Sequence, residues 1–169
     1  MELAAKTRSA IEASLEDNPG AVIEFVAREH NVTPADVVAC LPAGQAVTVG
    51  GENFGAVMAE LARWGEITFL IHTDDVVFEA KGEIPEGSMG RGYYNLGGKP
   101  IGGHFKADHC ASISFVSRKL FNNDSHSVQF FNKDGGCMFK VYLGRDEKRQ
   151  MFPEQIEKFT TYRDRIKAG

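Results

Sequence analysis

The stretch SVQFFNKDGGCMFKVYL, Ser127–Leu143, decides the fold of this chain. Two runs rich in β-branched and aromatic residues flank Asn132–Gly136, whose Asp-Gly pair is typical of a tight β-hairpin turn. The sequence therefore predicts that Ser127–Asn132 and Cys137–Leu143 pair as antiparallel strands. Upstream, polar and apolar residues alternate in Ser112–Phe115, which indicates a further strand with one buried face.

More strands precede this hairpin, and helices lie outside them. The predicted strands are Ile67–Thr73, Val76–Lys81, Tyr93–Leu96, Gly103–Lys106 and Ala111–Lys119. The predicted helices are Leu3–Glu16, Ala21–Glu29, Pro34–Cys40, Asn53–Trp64 and Pro153–Lys167. Thr33 is a good N-cap for the third helix, because Pro34 follows it and Asp36 lies three residues past it. Helices segregated from consecutive antiparallel strands define an α+β fold.

The length of the chain suits one well-packed domain and is too short for two ordinary ones. We expect a single domain over residues 1–169. Within it, residues 1–45 form a helical cap, residues 46–152 form an antiparallel sheet with one helix, and residues 153–169 form a C-terminal helix.

Composition excludes several classes of protein. The 43% hydrophobic and 25% charged residues are typical of a soluble globular protein, and the chain has no run of about 18 apolar residues that could span a membrane. The polar N-terminal segment lacks the apolar centre of an export signal, so we expect a cytoplasmic protein. Three widely spaced cysteines without a C-x-x-C pair argue against a disulfide framework and a zinc site.

The charge distribution argues against a nucleic-acid partner. A net charge of −4 gives no general attraction to nucleic acid or to an anionic membrane. Two short helices near residues 21–40 resemble a helix-turn-helix, but residues 1–45 contain three Lys or Arg against seven Asp or Glu. Because DNA binding depends on basic residues at the phosphates, we interpret this segment as a packing or dimer-forming cap.

The run GRGYYNLGGKPIGGHFKADHC, Gly90–Cys110, is the most suggestive of a binding site. It contains six glycines, two adjacent tyrosines and two of the five histidines. Tyrosine and histidine can both serve as axial ligands of haem iron, and glycines let a backbone approach a flat ligand closely. Tyr93 and Tyr94 point to opposite faces of an extended strand, so at most one of them faces a given pocket. Arg91 and Lys99 could stabilise a phenolate or a ligand carboxylate.

The histidines differ in how strongly they suggest a ligand. His72 ends the predicted strand ITFLIHT, where a hydrogen-bonded structural histidine is the more common case. His104 follows paired glycines that would expose it, so the ligand and structural interpretations are equally open. Of the remaining histidines, His30 is expected to be structural, and His109 and His126 are expected to be exposed.

Motifs of several enzyme classes are absent from the sequence. There is no G-x-S-x-G, no phosphate-binding P-loop, no H-E-x-x-H and no dinucleotide fingerprint between a strand and a helix. A hydrolase, a kinase or a dehydrogenase is therefore disfavoured.

Four segments together resemble the HutX/ChuX family of cytosolic haem-utilisation proteins, in the same order and at similar spacing. They are EFVAREHNVTPADVVACLP (Glu24–Pro42), HTDDVVFEAKGEIPEG (His72–Gly87), GYYNLGGKPIGGHFKADHC (Gly92–Cys110) and FFNKDGGCMFKVYLGRDEKRQ (Phe130–Gln150). The resemblance runs from about Val22 to Tyr162. It implies a curved antiparallel sheet with flanking helices, similar to one half of the two-repeat HemS/ChuS haem proteins, and a homodimer.

The resemblance also implies a function and a site. The protein would receive haem in the cytosol and pass it to a haem-degrading enzyme or a storage partner. The family's candidate iron ligands correspond to Tyr93, His104 and His72. Arg91, Lys99 and Lys106 would then bind the anionic propionates of the haem. We expect Tyr93 or His104 to be the main ligand and His72 to assist.

Two other functions stay open at this point. The first is a haem-degrading enzyme that takes electrons from an external donor, since the sequence has no flavin or iron–sulfur signature. The second is a structural or regulatory module, without haem, built on the acidic cap. A carrier remains the preferred interpretation.

Overall fold

The structure, a computed structural model, describes residues 3–169. This part of the chain contains five α-helices and nine β-strands. The helices are α1 (Ala5–Asp17), α2 (Ile23–His30), α3 (Pro34–Val38), α4 (Phe54–Leu61) and α5 (Pro153–Ala168). The strands are β1 (Ala46–Gly50), β2 (Glu66–His72), β3 (Val77–Glu83), β4 (Gly87–Gly90), β5 (Tyr93–Leu96), β6 (Gly103–Phe105), β7 (Cys110–Leu120), β8 (Asn123–Asn132) and β9 (Cys137–Leu143). The α+β fold expected from the sequence is confirmed.

The strands form two antiparallel sheets. The large sheet has six strands in the order β1-β7-β8-β9-β2-β3, and the small sheet has three in the order β4-β5-β6. The predicted hairpin at Asn132–Gly136 joins β8 to β9, where the Asn132 side chain accepts hydrogen bonds from the backbone N–H groups of Asp134 and Gly136. Among residues 3–169, no helix is both long enough and apolar enough to cross a bilayer.

One face of the large sheet, called the core face here, carries the main hydrophobic core. Phe69 of β2 and Phe139 of β9 stack on this face with ring centroids 5.0 Å apart. Phe105 of the small sheet packs against both of these rings, and Tyr94 packs against Phe54 of α4. The small sheet therefore covers the core face with one of its own faces and turns the other outwards.

The opposite face of the large sheet, called the polar face, is covered only in part. The helices α1–α3 pack over Val116 and Phe131 through a second hydrophobic cluster that includes Ile11 and Val37. Helix α3 has Thr33 as its N-cap, as predicted. The Thr33 side chain accepts a hydrogen bond from the Asp36 backbone N–H, and the Asp36 carboxylate accepts one from the Thr33 backbone N–H. The rest of the polar face lies beside α2 and borders a cavity.

The structure differs from the sequence-based prediction at a few elements. Strands β1 and β4 are absent from the prediction, and β8 begins four residues earlier than expected. The expectation that His126 is exposed is wrong. Its ring lies 4.9 Å from that of Phe159 in α5, and its Nδ1 lies 2.8 Å from the Ser117 hydroxyl. Burial lowers the pKa of His126 below its usual value, and Arg163 adds to this effect.

Candidate functional site

The outward face of the small sheet brings together several residues from the glycine-rich run. Alternation along β5 buries Tyr94 and Leu96 in the core and directs Tyr93 and Asn95 outwards. Strand β6 pairs with β5 so that His104 lies opposite Asn95. The rings of Tyr93 and His104 are 6.0 Å apart between centroids and nearly perpendicular, at 71°. We call this group, together with Lys106, the tyrosine surface.

Asn95 determines which nitrogen of His104 carries the proton. The Asn95 amide nitrogen donates to the backbone carbonyls of Ser88, Gly90 and Tyr93, at 3.1–3.3 Å. Its oxygen must therefore face His104, whose Nδ1 lies 2.6 Å away. A carbonyl oxygen can only accept, so Nδ1 is the donor, and in the neutral ring Nε2 keeps a free lone pair. Histidine ligands of metals typically have this arrangement, in which the second nitrogen donates to a fixed acceptor.

Lys106 adds positive charge to the same surface. Its Nζ lies 4.3 Å from the centroid of the Tyr93 ring, within the range of a cation–π contact. No ion pair joins Lys106 to a carboxylate among residues 3–169, so its charge is available to an anionic group placed beside the ring.

Arg91 and Lys99 lie on loops at the ends of β5. Arg91 and Gly92 form the two-residue turn between β4 and β5, with φ values of 52° and 79°. This backbone suits a type I′ hairpin turn, in which an arginine is strained, since positive φ disfavours side chains larger than glycine or asparagine. Both cationic side chains are exposed, and neither forms an ion pair within residues 3–169.

His72 lies elsewhere, on the polar face of the large sheet. Its Nδ1 is 3.4 Å from Oε2 of Glu24 in α2, and Lys140 Nζ of β9 is 2.6 Å from the other oxygen of the same carboxylate. These three side chains are 9%, 8% and 3% exposed, so they form a buried polar cluster that contains the Glu24–Lys140 ion pair. The ring of Phe25 packs edge-on against His72 at 5.9 Å.

A cavity of about 240 Å³ adjoins this buried cluster. Residues of strands β2, β3, β7, β8 and β9 and of helix α2 line it. Its polar members include Arg118, Gln129 and Tyr142, and its apolar members include Leu70 and Val116. Burial raises the pKa of the Tyr142 phenol, which is therefore neutral at physiological pH.

The structure thus brings Tyr93, His104 and Lys106 together but does not bring His72 to them. The tyrosine surface lies beyond the core face of the large sheet, and His72 lies on the polar face. One haem iron bound to a single chain cannot contact both. The sequence reasoning missed Asn95 and Glu24. The signal for Asn95 was its place two residues after Tyr93 on the same strand face.

Comparisons with known proteins agree on one family. A family model described as "Haem utilisation ChuX/HutX" matches residues 47–162. The intracellular heme transport protein HutX of Vibrio cholerae serotype O1 is 36% identical over 147 residues, which are 86% of this chain and 76% of that protein. The solved structure of the heme binding protein ChuX superposes with a TM-score of 0.85 at 38% identity, covering 93% of this chain and 99% of that one.

Two-repeat proteins share the fold at much lower identity. The heme degrading enzyme ChuS of Escherichia coli O157:H7 superposes with a TM-score of 0.73 at 14% identity, covering 95% of this chain and 48% of ChuS. The present fold therefore corresponds to about half of ChuS, as the sequence predicted.

Proposed function

The chain belongs to the ChuX/HutX family of haem-utilisation proteins, and from this premise we propose that it is a cytosolic haem carrier that passes haem to a degrading or storage partner. The names of its relatives support this proposal, since HutX is an intracellular heme transport protein and ChuX is a heme binding protein. We also propose that the protein acts as a homodimer, as the sequence resemblance implies.

The tyrosine surface is the proposed iron site. The observation that carries this proposal is the hydrogen bond from His104 Nδ1 to Asn95, which leaves Nε2 of an exposed histidine free beside Tyr93. Tyrosine oxygen and histidine nitrogen both bind haem iron, so either side chain can serve as the axial ligand. Lys106 supports Tyr93, because a nearby cation stabilises the negative charge of an iron-bound phenolate.

The propionates of the haem are proposed to contact Arg91, Lys99 and Lys106. Arg91 and Lys99 are exposed on the loops that flank β5, and Lys106 follows β6. An exposed surface with one exchangeable axial ligand suits a carrier, because release to an acceptor must remain possible. His72 remains a third candidate ligand. It would bind the iron of a haem at the polar face and not the iron of a haem at the tyrosine surface.

Titration of ferric haem, followed by absorption, tests the iron site. The variants at the tyrosine surface are Tyr93→Phe, His104→Ala and the double variant, and His72→Ala tests the polar face. His109→Ala is a matched control, because His109 is exposed and outside the tyrosine surface. We expect the Soret band to shift and the affinity to fall at least tenfold in one single variant and in the double variant. An unchanged spectrum and affinity in all three would contradict the assignment, and a loss with His72→Ala alone would move the site to the polar face.

Transfer of intact haem to an acceptor protein distinguishes a carrier from a haem-degrading enzyme. The loaded protein is incubated with an apo-haem protein in one sample and with ascorbate in another. A carrier delivers intact haem to the acceptor and forms no biliverdin with ascorbate. Catalytic formation of verdohaem or biliverdin would contradict the carrier and favour haem degradation. Size-exclusion chromatography during the titration measures whether a dimer persists.

A further inference from the structure

The cavity on the polar face contains buried polar groups that the rest of the protein does not satisfy. Arg118 of β7 is 8% exposed and Gln129 of β8 is 2% exposed, and both line the cavity. Within residues 3–169, Arg118 Nε and Gln129 Oε1 have no hydrogen-bond partner. Both oxygens of Glu24, also in the lining, are without one too, but that carboxylate is ion-paired with Lys140. Since buried polar groups in folded proteins are nearly always paired, two such atoms in one cavity indicate a missing partner.

Within residues 3–169, Arg118 forms no ion pair, and its Nε has no hydrogen-bond partner. The Glu24 carboxylate acts on it only at longer range. Its Nη2 donates to the backbone carbonyl of Pro19 at 2.9 Å. No carboxylate of residues 3–169 forms an ion pair with it, whereas the neighbouring Lys140 is paired with Glu24. A guanidinium remains charged in proteins, and an uncompensated buried charge is unfavourable. Apart from the Lys140–Glu24 pair, the buried part of the lining therefore carries the charge of Arg118, which an anion would neutralise.

Gln129 can complement an anion at the same place. Its amide nitrogen donates to the Ser127 hydroxyl at 3.1 Å. A hydroxyl can also donate, so the amide can turn over, accept from Ser127 and direct its NH₂ group into the cavity. Arg118 and Gln129 would then present two donors, which matches the two oxygens of a carboxylate.

The rim of the cavity is apolar and exposed. Phe121, Phe25 and Val77 are 69%, 56% and 55% exposed and line the same cavity. Phe121 has a φ of 52°, a strained conformation for an aromatic residue, and its N–H donates to the Gly20 carbonyl at 2.9 Å. Glu79, also in the lining, is an exposed strand residue whose charge is screened by solvent. Buried donors beneath an apolar rim are typical of small-molecule sites.

We propose that this cavity binds the carboxylate of an amphipathic molecule, with Arg118 as the anchor, Gln129 as a second donor and Phe25, Val77 and Phe121 around the apolar part of the ligand. The site is distinct from the tyrosine surface. Its carboxylate comes from one of two sources. The first is a propionate of a haem bound at the polar face, where His72 is the candidate ligand, and in that case the inference rests on the proposed carrier function. The second is a separate apolar carboxylic acid.

The experiment compares three ligands on the full chain: haem, mesohaem dimethyl ester, whose propionates are uncharged, and decanoate. Absorption titration follows the tetrapyrroles, and calorimetry follows decanoate. The variants are Arg118→Met and Val77→Glu, which places a negative charge at the exposed rim. Val76→Glu is the matched control, because Val76 is 56% exposed and lies outside the cavity lining. Circular dichroism checks whether each variant folds. If Arg118→Met does not fold, Val77→Glu still tests whether the cavity binds the carboxylate.

We expect both variants to weaken binding of the carboxylate ligand about tenfold or more, and Val76→Glu to leave it unchanged. Weaker haem binding with unchanged ester binding identifies a propionate as the ligand. Weaker decanoate binding with unchanged haem binding identifies a separate acid. If neither haem nor decanoate binding changes in the variants, the inference is overturned. If wild-type protein binds no haem, the proposed function fails, while the decanoate titration still decides this inference.

Discussion

At Asn95, a single amide controls the chemistry of a neighbouring histidine. Its NH₂ group is held by three backbone carbonyls, so its oxygen faces His104 and sets the tautomer. The same geometry fastens β4 to β5, since two of those carbonyls belong to β4. One residue therefore links the shape of the small sheet to the availability of a ligand nitrogen.

We expect Asn95→Ala to release His104 from its fixed tautomer. Without an acceptor at Nδ1, both neutral tautomers become populated, and stability falls by about 1 kcal/mol through the lost hydrogen bonds. Long-range ¹⁵N–¹H correlation spectra of the imidazoles report the tautomer in the protein without haem. Asn122→Ala, at an exposed turn, is the control. A His104 signal with the same Nδ1–H pattern in Asn95→Ala would show that Asn95 does not set it.

Among the elements, α5 is tied to the large sheet by aromatic packing and by buried polar groups. Phe159 packs on Phe115 of β7 and on His126 of β8. Gln155 donates to the carbonyls of Trp64 and Glu66 and accepts from the N–H of Gly144. Because His126 is partly buried in this contact, protonating it works against the packing of the helix.

Stability should therefore depend on pH through His126. Its pKa is lowered by burial in the folded protein, so the unfolded chain binds the proton more readily. Neutral His126 makes its full contribution to stability above its pKa in the unfolded chain, about 6.5. This contribution is lost as the pH falls through the lower pKa of His126 in the folded protein. We expect urea unfolding to show a smaller loss of stability between about pH 7.5 and pH 5 in His126→Gln than in the wild type. Equal losses in the two proteins would contradict this origin.

The sequence predicted an element correctly when the residues that cause it lie within or next to that element. The hairpin at Asn132–Gly136 and the capping box at Thr33 were predicted, because the turn and cap residues themselves cause those structures. Strand β4, Gly87–Gly90, was missed since glycine and serine have little strand preference, and pairing with β5 makes it a strand. His126 was predicted to be exposed because its neighbours are polar, but α5 covers it from a distant part of the chain.

At the scale of the whole molecule, a buried ion pair connects the helical cap to the sheet. Glu24 of α2 meets Lys140 of β9, and both are nearly inaccessible to solvent. The desolvation of two such charges is unfavourable, and only their mutual attraction offsets it. We therefore expect the pair to influence where the cap docks more than it adds to net stability.

A double-mutant cycle measures this coupling. We expect Glu24→Leu and Lys140→Met each to lower the free energy of unfolding by about 3–5 kcal/mol, because each leaves one charge buried without its partner. The double variant should be more stable than either single variant. Urea unfolding followed by circular dichroism gives the four values. Additive losses, with the double variant the least stable, would show that the two charges are not coupled.

The sequence by itself determined the class of fold, the main hairpin, the division of Tyr93 and Tyr94 between two faces, and the family, because strand alternation, turn residues and motif spacing act over a few residues. Tertiary structure alone decided that His104 meets Tyr93 while His72 meets Glu24, and that Arg118 lies buried beside a cavity. These pairings depend on strand order and on which face of a sheet a distant helix covers. Such contacts join residues that are many positions apart, so no local pattern in the chain records them.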